Sequence, residues 1–172
     1  MGGAMHLTRR FFGSLRPGGP RPDDVEWVRS VLTPAELDLW QRLYGPDRRH
    51  SVAVARRVEA RLGDDATVPV LAAALLHDVG KTQSGLRTYT RVAATLSAAV
   101  AGRDTAELWA SGSGVTRRIG LYLQHDRLGA DMLTMTDSDP LVVAWTAEHH
   151  QPPEDWSLDP AIAQVLHDAD DD

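Results

Sequence analysis

The run Val68-Pro69-Val70-Leu71-Ala72-Ala73-Ala74-Leu75-Leu76 is apolar on every side and leads into His77-Asp78-Val79-Gly80-Lys81. Pro69 suits the first turn of a helix, and a helix that is apolar all round has no face to give to water. It has to be the centre of a core, with other elements wrapped around it. Those elements are helices as well. Pro and Gly divide the chain into segments of helical rather than alternating periodicity, and no β-branched run bounded by hairpin turns occurs. The fold class is therefore all-α, a compact helical bundle.

Local punctuation places the surrounding helices. Thr33, Pro34 and Glu36 form a capping box with a Pro at the first helical position, predicting a helix through Trp40 to Tyr44 that stops at Gly45. Asp47 to Leu62 follows, with Val54, Val58 and Leu62 on one face and Gly63 as the stop. Helices are also expected over Leu86 to Ala101, Thr105 to Ala110, Val115 to His125 and near Leu128 to Thr134. Asp139 with Pro140 starts a helix that reaches His149 and His150 before Pro152 and Pro153, and Asp159 with Pro160 starts the last one.

With 172 residues, 42% of them apolar and 24% charged, the chain matches one globular domain. The expected organisation is a flexible basic Gly/Pro-rich arm over residues 1–22 and a single domain over 23–172. The net charge of -6 argues against a nucleic acid duplex or an anionic membrane as partner. Thr8-Arg9-Arg10-Phe11-Phe12 resembles the start of an export signal, but Gly13 to Pro22 replaces the apolar stretch such a signal needs, and no run approaches the ~20 apolar residues of a membrane span. A cytoplasmic location is expected.

Cys is absent, so any metal has to be held by imidazole and carboxylate. Five of the seven His stand at ends or edges of expected helices beside an apolar face: His50, His77, His125, His149 and His150. One inward His is commonly a satisfied core residue. Five, with a His-Asp pair closing the most apolar helix, point to a metal, because burying that many titratable groups is costly without a compensating charge. On the last helix, Asp170 falls within the face made by Ile162, Ala163, Val165, Leu166 and Ala169, whereas Asp168 falls outside it. Every basic residue but Lys81 is Arg. Lys81 stands one turn beyond His77, where it serves either as a cation for phosphate oxygens or as a surface charge at a helix C-terminus.

The ordered series His50, His77-Asp78 in its HDxGK context, and the terminal Ala169-Asp170 resembles the HD superfamily of metal-dependent phosphohydrolases from His50 onward. The resemblance implies an all-α bundle of the HD-domain type in which His50, His77, Asp78 and Asp170 hold one metal. His125 and the tandem His149-His150 resemble the added set of binuclear members, with Asp78 as bridge. It further implies hydrolysis of a nucleotide or other small phosphoester by a metal-activated water, with one or two divalent transition ions: Fe, Mn, Zn, Co or Ni. Asp78 and Lys81 would then be catalytic, and Lys81, Arg49 and Arg127 would bind substrate phosphate, with Arg48 a further candidate. The Gly-Tyr-Pro element of the cyclic-dinucleotide class has no counterpart, because Gln151-Pro152-Pro153 follows the tandem His. Some HD-fold proteins use a similar di-iron site for oxygen chemistry, and a non-catalytic nucleotide-binding regulatory module is the third reading.

Overall fold

The computed structural model describes residues 18–86 and 105–172. Their regular elements are helical, with no strand among the described residues: α1 (Pro22–Val31), α2 (Pro34–Gln41), α3 (Gly45–Leu62), α4 (Val68–Leu76), α5 (Lys81–Ser84), α6 (Gly114–Leu123), α7 (His125–Thr134), α8 (Pro140–Glu148) and α9 (Pro160–Asp171). Residues 105–110 are helical too. None of these helices is long and apolar enough to cross a membrane.

α4 is the axis of the bundle. Val70 through Leu76 are all buried, and α1, α2, α3, α8 and α9 all pack against it. Truncating a fully buried member such as Leu75 to Ala would cost about 2–5 kcal/mol. α3 turns Ser51, Val52, Val54, Ala55 and Val58 inward, and the buried Trp40 indole donates to Ser51 Oγ at 2.9 Å, which ties α2 to α3. α9 lies along α3, where Arg57 donates to the Ala169 carbonyl.

Starts and stops follow the cap chemistry. Thr33 and Glu36 form the full capping box of α2, Asp139 accepts from the Leu141 amide at α8, and Asp159 accepts from the Ala161 and Ile162 amides at α9. Gly63, at φ 55°, ends α3 in a conformation that a side chain would resist.

Two expected boundaries move. α2 ends at Gln41, and Gly45 does not stop it but opens α3, with Pro46 in the first turn. The absence of a side chain matters there, because a Cβ on Gly45 would lie 3.0 Å from the Gly18 carbonyl oxygen. His125 does not end α6 but begins α7, since Gln124 (φ -111°, ψ 19°) breaks the helix between them. Gly18 lies against α3, where Arg49 donates to its carbonyl at 2.8 Å. Residues 1–17 and 87–104, including all of the expected Leu86 to Ala101 helix beyond Leu86, lie outside the described residues.

Candidate metal centre

The centre begins where α4 stops. His77 is the C-cap of α4, and its Nδ1 lies 2.9 Å from the Ala74 carbonyl. His125 Nδ1 lies 2.8 Å from the Tyr122 carbonyl, and His149 Nδ1 lies 2.9 Å from the Thr146 carbonyl. A carbonyl can only accept, so each ring carries a proton on Nδ1. Each imidazole is thereby fixed by the turn three residues before it and directs Nε2 away from that turn.

These rings form two groups around one carboxylate. His50, His77 and Asp78 bring ligand atoms within 4.8 Å of one another, as do His125, His149 and His150. Asp78, only 4% exposed, stands between the groups. Its Oδ2 is 3.4 Å from His77 Nε2, while its Oδ1 is 3.4 Å from His125 Nε2 and 3.9 Å from His149 Nε2. Asp170 joins the first group from α9, 2.8 Å from His50 Nε2 and 3.6 Å from His77 Nε2. Asp168 is exposed and pairs with Gln164. In the second group, His150 Nε2 is 3.2 Å from His125 Nε2. His150 stands on the exposed rim, and His125 and His149 are buried.

Charge divides the groups. Burial disfavours the charged form of Asp78, but Lys81 and His77 outweigh it and hold the carboxyl well below the usual carboxylate range. Asp170 is lowered for the same kind of reason, with His77 and His50 overcoming its burial. Burial also opposes charge on His77, yet Asp78 and Asp170 raise its pKa to about 9. In the second group burial prevails. It lowers His149 well below the ordinary His value, helped by His150 and His77, and it lowers His150 to about 4, helped by His125.

Lys81, at the start of α5, pairs with Asp78 Oδ2 and leaves 17% of its side chain exposed. Burial works against its charge, but Asp78, with Tyr122 and Asp47 nearby, raises its pKa. It is thus a partly buried cation at the centre rather than a surface charge at a helix end. Arg49 is engaged with Gly18, and Arg127 turns to solvent, 3.5 Å from Glu107. Arg48 stacks over Trp40.

Two glycines set the register of the second group. A Cβ on Gly80 would meet the His125 carbonyl oxygen at 1.9 Å and the Gly129 amide nitrogen at 2.6 Å. One on Gly129 would meet the Thr146 methyl at 2.9 Å. Gly80 therefore lets the start of α7 rest directly on the turn that carries Asp78, and Gly129 lets α8 close over it. A Gly two residues after a His-Asp pair, within a turn, is the local sign of such an approach.

The donor set suits a divalent transition ion: imidazole nitrogens and carboxylate oxygens, most of them buried. The clearest sign is that His77 Nε2 and His149 Nε2 are buried without a hydrogen-bond partner, which is unfavourable for a polar atom that nothing completes. A cation bordering both groups would complete them. The backbone hold on each Nδ1 is the outer support that ligating His residues use.

No curated protein and no solved structure matches this chain. Residues 47–171 match the HD domain, a span that takes in α3 through α9 and every residue of the two groups. The chain belongs to the HD domain family.

Proposed function

We propose that this protein is a metal-dependent phosphohydrolase that acts on a nucleotide or another small phosphoester. One observation supports the reading above the rest: Asp78 offers one oxygen to each of two imidazole groups whose inward nitrogens include two buried atoms without a hydrogen bond. His50, His77, Asp78 and Asp170 would hold one ion, and Asp78, His125, His149 and His150 a second. A divalent ion held there supplies a water of lowered pKa and a positive charge for the phosphoryl oxygens.

The chain's own groups do the rest. Asp78 joins the two ligand sets and stays ionised next to Lys81 and His77. Asp170 accepts from His50 at 2.8 Å, which holds the α9 carboxylate beside the α3 imidazole. Lys81 is the substrate cation, a compact ammonium on a flexible stem at the edge of the centre, suited to a nonbridging phosphate oxygen. Lys81 pairs with a residue of the centre itself, whereas Arg49 and Arg127 engage Gly18 and Glu107, which favours Lys81 as the phosphate cation.

The test is metal content and stoichiometry of untagged protein purified without chelator, followed by hydrolysis assays on bis(p-nitrophenyl) phosphate and a nucleotide panel with several divalent ions. Phosphoester cleavage that disappears with chelator is expected. No turnover across the panel overturns the assignment, and oxygen uptake at an iron-loaded centre would assign it to oxygen chemistry instead.

A further inference from the structure

Lys81 and a metal ion require the same oxygen. Asp78 Oδ2 is the oxygen that faces His77, and it is also the one that pairs with the Lys81 ammonium. The other oxygen, Oδ1, faces His125 and His149. A divalent ion shared by His50, His77 and Oδ2 would lie directly beside an ammonium, two cations on one carboxylate oxygen with little water between them. Lys81 can yield. It begins a helix of only four residues, it has a four-carbon stem with part of the side chain exposed, and its charge lies in the field of Asp47 and Tyr122 as well as Asp78.

Resting on the metal-centre reading above, we propose that Lys81 and the ion of the first group exchange on Asp78 Oδ2, so that loading the centre is what releases the Lys81 ammonium to a phosphate. Lys81 stays charged throughout. What changes is its partner, from a carboxylate of the protein to an anion of the substrate. The residue that would bind phosphate is thereby withheld until an ion is present.

Two measurements test this on the full-length chain. In the first, chelator-treated wild type, Lys81→Gln and Lys81→Arg are titrated with Mn(II), and free ion is read by electron paramagnetic resonance. Lys81→Gln should take its first ion about tenfold more tightly or better, whereas Lys81→Arg, which keeps the charge, should stay near wild type. Equal or weaker binding by Lys81→Gln overturns the exchange.

The second measurement needs no variant, and so does not depend on one folding. Lys81 is the only Lys in the chain, so reductive methylation with 13C-formaldehyde, which preserves the charge, labels a single side-chain amine beside the N-terminus. Its methyl resonance should move in step with Zn(II) binding, and inorganic phosphate should move it again only in the loaded protein. A resonance that stays still while ion binds, or that answers phosphate equally without ion, overturns the proposal. Failure of wild type and both variants to bind any ion overturns the metal-centre reading and the exchange with it, whereas ion binding without the Lys81 responses overturns the exchange alone.

Discussion

His50, His77 and Asp170 approach Asp78 from α3, the end of α4 and α9, whereas His125, His149 and His150 approach it from α7 and the end of α8. The first set has a second carboxylate and the other has none, and the same side chain behaves oppositely in the two places. His77 is drawn up to about 9, while His149 and His150 are driven down by burial and by one another. The contrast teaches that an imidazole ligand set is not a uniform device. In the proposed centre His77 would have to surrender a proton to receive a cation, whereas His149 and His150 are held neutral and would donate lone pairs directly.

Breaking the shared residue should erase the comparison altogether. Asp78→Ala removes an oxygen from each group, and metal content measured by mass spectrometry should fall to background along with turnover, a larger loss than the roughly 10- to 100-fold that removing an outer support costs. Retained full activity would eliminate this centre. Gly80→Ala comes next. Its methyl would have to displace the His125 carbonyl, so the variant should be less stable by at least about 1–3 kcal/mol in chemical denaturation and should lose the second ion before the first.

Asp170→Asn sharpens the comparison by making the groups more alike. With one carboxylate gone, the His77 pKa should fall from about 9 toward the ordinary 6.5 in a nuclear magnetic resonance titration of the ring, while His149 holds its value and His150, which loses a minor upward pull from Asp170, moves slightly lower.

The stability of chelator-treated protein should show both groups at once. His77 has a raised folded pKa, so its contribution is full below 6.5 and is lost as pH climbs through about 9. His149 and His150 have lowered folded values, so their contribution is present above 6.5 and is lost as pH falls below it, for His150 toward about 4. Denaturation midpoints should therefore decline on both sides of neutrality, with His77→Gln flattening the alkaline limb and His150→Gln the acid limb. The smallest effect is a proton count. Calorimetry in two buffers at pH 7.5 should find about one proton released as the first group takes its ion and close to none for the second.

Much of this architecture is written locally. Thr33 with Glu36, Asp139 with Pro140 and Asp159 with Pro160 announce helix starts through groups only a few residues apart, and the unbroken apolar run identifies α4. A helical wheel was enough to separate Asp170, which meets His50, from the exposed Asp168. What stayed hidden depends on contacts distant in sequence. Gly45 looks like a stop until Gly18 is placed against it, and Gly80 looks like a break until the His125 carbonyl, 45 residues later, rests where its side chain would be. The division of His125 from α6 was missed likewise, because Leu121, Tyr122 and His125 keep a helical spacing across the kink at Gln124. The opposed protonation of His77 and His149 follows from which neighbours close around each ring, and no spacing rule encodes that.

His77, His125 and His149 each hang from the final turn of a helix, bonded to a carbonyl of α4, α6 or α8. The ends of α4 and α8 therefore converge on the same small volume, each bearing the equivalent of about half a negative charge from its aligned peptide dipoles, while the end of α6 is offset by the start of α7 at His125. The backbone itself makes the interior inviting to a cation before Asp78 or Asp170 is counted. By the same field these ends disfavour an anion, and in the proposed reaction the charge of Lys81 and of a bound ion would offset them as a phosphate approaches.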